Sequence, residues 1–252
     1  MSLALSTEVP EGLVVVPSVT IAEMRRIDEI AVRRFHVRLI QMMENAGRAL
    51  ADLVGERVGP RRATVLAGTG LNGGGGLVAA RHLANRGVEV TVVSDVDEAR
   101  APLTEHHLRA LRASGVTVRR TPRTGADVVI DALVGYSLSG PLHGRVAELA
   151  RWARRQGAPV VSLDVPTGLD ATTGSADAVV VFADLTATLA LPKRGLIARP
   201  ETGEVRLVDI GIPRAALTAA GIPAPALVSH SGTMTLVPFA GGFAAEARTK
   251  EQ

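Results

Sequence analysis

The chain contains no cysteine, which excludes disulfides and thiolate metal sites. Aromatics are almost as scarce: one Trp, one Tyr and four Phe in 252 residues. Platforms for nucleic acid stack bases on aromatic rings, so no nucleic-acid partner is expected. The core must be built from Val, Leu, Ile and Ala. No apolar run reaches membrane-spanning length, and the opening Met1–Leu5 lacks the basic and apolar regions of a secretory signal. A cytoplasmic protein with no membrane partner is expected. Lysine is nearly missing as well, since only Lys193 and Lys250 stand among 28 basic residues. The arginines are spread among acids with no long basic tract, the net charge is only +3, and the bias reads as that of a GC-rich genome.

What is present is concentrated in residues 66–83, Leu-Ala-Gly-Thr-Gly-Leu-Asn-Gly-Gly-Gly-Gly-Leu-Val-Ala-Ala-Arg-His-Leu. An apolar strand, Thr64 to Ala67, runs into a loop with six glycines between Gly68 and Gly76, and a helix opens at Leu77. Bare backbone N–H groups at a helix start suit an anionic ligand, most often phosphate.

Thr20-x-x-Glu23 is a capping box, followed by apolar residues at helical spacing, and a second helix is expected over 41–58. Strands are expected at 63–67, 88–93, 115–118, 127–131, 159–163, 178–182, 185–190 and 205–209, with helices near 76–86, 102–114 and 144–156. This alternation predicts an α/β, Rossmann-like three-layer sandwich: a mostly parallel sheet with helices on both faces, the last strands adding an antiparallel edge. The organisation expected is an N-terminal extension over 1–17, one domain over 18–214, and an Ala-rich tail over 215–252, partly mobile or packed on a neighbour.

Ligands of such folds bind at the carboxyl ends of the strands. Three features fall there: the glycine run, Asp131 with the Gly135–Gly144 loop, and Asp164 with Pro166-Thr167-Gly168. They are expected to converge on one crevice. Gly68-x-Gly70-x-x-Gly73 also fits a dinucleotide fingerprint, with Asp95 where a ribose-binding acid would sit. Asp164 is the candidate proton shuttle, with a turn cap at Gly168 as its bland alternative. Lys193 is either a second charge at the site or a solvated lysine. His106-His107 reads as a solvated face, His82 as packing, and His143 as the histidine nearest the crevice.

Six motifs in order resemble one family. Residues 66–83 are similar to its glycine-rich signature, and Met42-Met43-Glu44-Asn45-Ala46-Gly47-Arg48 to its Leu-Met-Glu-x-Ala-Gly motif. Asp131–Gly135 with Leu138–Gly144 resembles its central loop, and Asp164-Val165-Pro166-Thr167-Gly168-Leu169-Asp170 its Asp-Ile-Pro-Ser-Gly-Leu-Asp motif. Leu191–Leu196 and Val208–Pro213 complete the series. This is the YjeF N-terminal domain family, the NAD(P)H-hydrate epimerases. The resemblance implies a homodimer that interconverts the R and S forms of hydrated NADH or NADPH, so that a partner dehydratase, expected to be absent here, can repair the S form.

It further implies a potassium ion held by Asn72, Asp131 and Thr167, and catalytic roles for Asp164 and Lys193. The substrate would meet Asn72, Gly73, Gly74, Gly75, Gly135, Tyr136, Ser137, Leu138, Ser139 and Asp164. The chain departs from the family at Leu71 and Gly75, where Asn and Asp are usual, at Tyr136-Ser137, and at Gly140. These changes imply a less anionic, more apolar site. They leave open a family member recruited to another small-molecule transformation (a lyase, cyclase or isomerase), or a nucleotide-binding protein without catalysis.

Overall fold

A computed structural model describes residues 5–94, 102–224, 227 and 232–246. Asp95, the expected ribose-binding acid, lies outside them. In chain order the elements are β1 (Leu13–Val16), α1 (Ile21–Arg33), α2 (Leu39–Arg57), β2 (Arg62–Ala67), α3 (Leu71–Asn85) and β3 (Glu89–Val93). Then follow α4 (Pro102–Ala113), β4 (Thr117–Arg119), β5 (Val128–Ala132), α5 (Gly144–Arg154), β6 (Val160–Leu163) and β7 (Leu185–Leu189). The described chain closes with β8 (Glu204–Val208), α6 (Arg214–Ala219), β9 (Thr233–Thr235), β10 (Val237–Phe239) and β11 (Gly242–Glu246).

The main sheet runs β4-β3-β2-β5-β6-β7-β8-β9. Every pair is parallel except β8–β9. Helices on both faces bury the central strands completely, which is why β5 and β6 read as unbroken runs rather than alternations. The chain moves from β2 outward to β3 and β4, then returns to place β5 on the other side of β2. That reversal opens a crevice at the carboxyl ends of β2 and β5.

The helix after β2 begins at Leu71, with Gly70 as N-cap, six residues before the expected start. Gly73–Gly76 therefore belong to its first turns and not to a loop. None of Gly73–Gly76 has positive φ, so conformational freedom is not their purpose. Their purpose is steric. A Cβ on Gly73 would lie 1.8 Å from the Gly68 carbonyl oxygen, one on Gly74 2.0 Å from Met43 Cε, and one on Gly76 2.5 Å from Ala132 Cβ. On α2, Gly47 has the same relation to Val78, at 2.4 Å. Each interior glycine costs a helix about 1 kcal/mol against alanine. Close packing of α3 on the sheet and on α2 offsets that cost.

Residues 178–182 are not a strand. The segment is buried at Val180 and Val181, but β6 pairs directly with β7, so no ladder position remains for it. Val181 N–H donates instead to the Thr167 carbonyl at 2.8 Å. The expected strands at 185–190 and 205–209 pair in parallel, and the antiparallel edge comes from β9 in the tail. The tail's described part packs on its own chain: β10 and β11 form a three-stranded sheet with β1. The reason lies in Met234, Leu236 and Phe243, which join the core that Val16, Val19, Met24 and Ile27 also enter. No helix among the described residues is long and apolar enough to cross a membrane.

Two glycine substitutions separate packing from propensity. A methyl added at Gly55, in α2, would meet nothing within 4 Å, so Gly55→Ala should stabilise by about 0.4–1 kcal/mol. Gly73→Ala should destabilise by at least the roughly 1–3 kcal/mol of an overpacked core. Urea unfolding of both variants checks the pair; a Gly73→Ala midpoint equal to wild type would refute the packing account.

Candidate active site

A cavity of about 190 Å³ opens at the reversal point. Its polar wall is formed by Asp28, Asn72, Tyr136, Ser137, Asp164 and Lys193. The remainder is apolar, including Met24, Met42, Met43, Leu71, Leu163 and Ile210.

Asp164 follows β6 directly and has φ +71°, a left-handed conformation that aspartate tolerates better than most residues. Its N–H is tied to the Ala187 carbonyl at 2.8 Å, which holds the strained turn. The turn swings the carboxylate sideways into the crevice. Oδ2 accepts the Tyr136 N–H at 2.9 Å, and Oδ1 accepts the Leu189 N–H at 3.4 Å and the Lys193 ammonium. Both members of this ion pair are buried, Lys193 being only 1% exposed. Lys193 thus lines the cavity and is buried, not solvated. It also donates to the Leu189 carbonyl at 2.8 Å and to Thr188 Oγ1 at 3.5 Å.

Sequence-distant backbone fixes that lysine. Val19 N–H donates to the Pro192 carbonyl and Arg194 N–H to the Val19 carbonyl, both at 2.9 Å. The link just before α1 therefore clamps Lys193, and α1 then carries Asp28 to the cavity. Asp28 Oδ2 accepts the Tyr136 hydroxyl at 2.7 Å, while the Lys193 ammonium lies 5.7 Å from the Tyr136 ring centre. Burial pushes the Asp28 carboxyl above the usual carboxylate range. Burial, with Asp28 beside it, also raises the Tyr136 phenol, which stays protonated as a donor.

Asn72 sits in the first turn of α3. A Cβ on Gly135 would stand 2.8 Å from Asp164 Oδ2 and 2.9 Å from Asn72 Oδ1, so these side chains meet across bare backbone. Asn72 Nδ2 is buried with no hydrogen-bond partner among the described residues. Gly75 lines the same wall, and a Cβ there would come within 2.8 Å of Leu163 Cδ2.

The other expected residues are placed differently. Gly73 and Gly74 face the protein interior and do not line the cavity. Leu138 is half-buried and Ser139 exposed, both off the lining. Asp131 and Thr167 lie behind the cavity wall. Asp131 is fully buried and accepts four hydrogen bonds: the Leu133 N–H and Thr167 hydroxyl on Oδ1, the Ser162 hydroxyl and Thr167 N–H on Oδ2. Burial still raises its carboxyl, although all four donors oppose the shift. His107 is buried, not solvated, because it shares a helical stripe with Thr104, Leu108 and Leu111. His82 meets Glu44 at 2.8 Å, and Glu44 also binds Arg81.

Asp28 was not legible as a site residue from motif matching. Its signal was positional: it falls four residues after Met24 and next to Ile27, on the buried stripe of α1, where an acid is out of place.

A family model described as YjeF-related protein N-terminus matches residues 39–195. An NAD(P)H-hydrate epimerase of Dehalogenimonas lykanthroporepellens is 45% identical over 227 residues, covering 87% of this chain and 92% of that protein. One from Rhodopirellula baltica is 36% identical over 208 residues, covering 78% and 85%. The bifunctional NAD(P)H-hydrate repair enzyme Nnr of Hyperthermus butylicus is 41% identical over 189 residues, which is 70% of this chain and 35% of that one. The crystal structure of yeast ynu0, YNL200c, superposes with a TM-score of 0.74 at 24% identity, covering 88% of this chain and 100% of that chain, and so shares the fold.

Removing one partner of a buried ion pair strands the other. Lys193→Met should cost about 3–5 kcal/mol, and adding Asp164→Asn should recover most of the loss. Denaturant midpoints of the two single variants and the double variant test this; additive losses would mean the pair is not coupled.

Proposed function

The chain belongs to the family of YjeF-related N-terminal domains, and from that premise we propose that it is an NAD(P)H-hydrate epimerase. It interconverts the two epimers at the hydroxyl-bearing ring carbon of hydrated NADH or NADPH. The observation that carries this reading is the Asp164–Lys193 pair facing a cavity sized for one ring. Pockets that enclose a whole drug-sized ligand measure about 300–1,000 Å³. At about 190 Å³ this cavity takes the hydrated nicotinamide head and leaves the pyrophosphate outside. The mouth is the N-terminal turn of α3, a 15-residue helix whose free N–H groups and dipole favour phosphate.

Inversion requires the hydroxyl to leave and return on the opposite face, or the ring to open and close. Either course needs a proton given and a proton taken beside that carbon. Asp164 is the group for this task. Lys193 and the Tyr136 N–H hold its carboxylate in one orientation, so no rotamer search precedes transfer. The unpartnered Asn72 Nδ2 is a buried donor awaiting an acceptor from the substrate.

A potassium ion is part of the same reading. Thr167 Oγ1 lies 2.7 Å from Asp131 Oδ1 and 3.2 Å from the Val134 carbonyl, an all-oxygen group that fits a weakly hydrated cation. Asn72, Asp131 and Thr167 would hold it, and it would supply positive charge toward the substrate's phosphates. A homodimer located with the soluble NAD(P)H pool also belongs to this proposal.

Leu71 and Gly75 keep the wall near α3 apolar, which favours a second reading, the transformation of a more apolar small substrate by the same acid. Incubation with the R epimer of hydrated NADH, followed by chromatography, separates the two. Under the epimerase reading the S form appears well above the spontaneous rate, and Asp164→Asn lowers kcat by about 10²–10⁴-fold. Conversion at the spontaneous rate for both proteins would remove the epimerase reading.

The cation has its own test. Thermal unfolding in KCl and in choline chloride at equal ionic strength should differ, potassium adding about 2.7 kcal/mol when present at 100 times its Kd. Asn72→Ala should shrink that difference. Identical midpoints in both salts would remove potassium from the account.

A further inference from the structure

We propose that Asp28 is a second catalytic acid–base group, serving the substrate face that Asp164 cannot reach. This rests on the epimerase reading and deepens it. Asp164 enters the cavity from the end of β6, in the sheet, whereas Asp28 enters from α1, in the helical layer. Tyr136 separates them: its main-chain N–H binds Asp164 and its hydroxyl binds Asp28. The two carboxylates therefore stand one tyrosine apart on a shared cavity. A flat ring lying between sheet and helix turns one face toward each.

Asp28 has no comparable structural duty. Among the described residues the Tyr136 hydroxyl is its one hydrogen-bond donor. The neighbouring cation, Lys193, is already bonded to Asp164. Burial pushes the Asp28 carboxyl upward, toward the protonated form that a proton donor needs. An acid on the buried stripe of a helix, with no ion-pair partner among the described residues, is costly to keep charged.

The chemistry balances without a co-reactant. Asp28 in its acid form gives a proton to the departing hydroxyl. The carbon–oxygen bond breaks with its electron pair on oxygen, and the ring nitrogen's lone pair closes a carbon–nitrogen double bond as water leaves. Water then adds from the Asp164 side. Asp164, the carboxylate of the Lys193 ion pair, takes its proton while the new carbon–oxygen bond forms and the double-bond pair returns to nitrogen. Nothing is oxidised or reduced. One proton has passed from Asp28 to Asp164, and exchange with solvent resets both. The reverse reaction retraces these steps.

Incubation of each epimer in ¹⁸O-water reads both steps separately. Wild-type protein should incorporate solvent oxygen with every inversion. Asp28→Asn, whose side-chain carbonyl can still accept the Tyr136 hydroxyl, should lose inversion by about 100-fold or more while one epimer still exchanges its oxygen with retention. Asp164→Asn should show the mirror result, exchanging the other epimer. The proposal is overturned if Asp28→Asn inverts at the wild-type rate, if it loses exchange of both epimers together, or if wild-type inversion proceeds without solvent oxygen. Wild-type protein that inverts neither epimer would instead sink the epimerase reading, and this inference with it.

Discussion

The buried contact between Lys193 and Asp164 gathers the functional half of the molecule. Asp164 ends β6, and Lys193 follows β7. Lys193 is clamped by the segment leading into α1, while Asp164 also binds the loop after β5 through Tyr136. Four pieces distant in sequence are thereby referred to one ion pair. Such a pair gains little net stability, since the desolvation of two charges roughly cancels their attraction. Its value is positional. With both ends held by several partners, neither side chain can take another rotamer without stranding a charge, and the carboxylate is presented in a single orientation.

Around that pair the fold had to bring a helix start unusually close. The glycines of α3 achieve this by lacking side chains, not by bending. They set α3 against the Gly68 carbonyl, Met43 and Ala132, and so carry Asn72 to within a backbone's width of Asp164. A normally clothed helix would ride higher on the sheet, and the crevice would open into a groove too wide to desolvate a ring. The same closeness explains the Met-rich lining: flexible thioether side chains fill irregular gaps beneath a helix that offers none of its own.

Much of this was legible in the sequence. The parallel order, the reversal point and the convergence of the α3 start with the Asp164 turn follow from strand–helix alternation and from motifs at strand ends. The failures have physical causes. Val180 and Val181 are apolar enough for a strand, but a ladder needs a free neighbour, which local sequence does not reveal. Four glycines read as a loop because propensity weighs backbone entropy and is blind to the carbonyl and methyl groups pressing on each Cα. Asp131 and Asp164 look equivalent in sequence, each closing a buried strand. Their fates differ because Thr167 and Ser162 surround the first with donors on the protein side, whereas the second keeps a flank toward the cavity.

The identity of residue 193 carries the same logic further. Among the described residues every other Lys or Arg is arginine, so the composition of this chain favours arginine at any site that merely needs positive charge. Position 193 needs more than charge. It is 1% exposed, and the acceptors around the cation are Asp164 Oδ1, the Leu189 carbonyl and Thr188 Oγ1. An ammonium carries three donors on a compact head and meets these three acceptors in full. A guanidinium carries five in a rigid plane, and the two left over would be buried without partners, each costing about 1–3 kcal/mol. Lysine at position 193 is therefore explained by counting hydrogen bonds in a buried site.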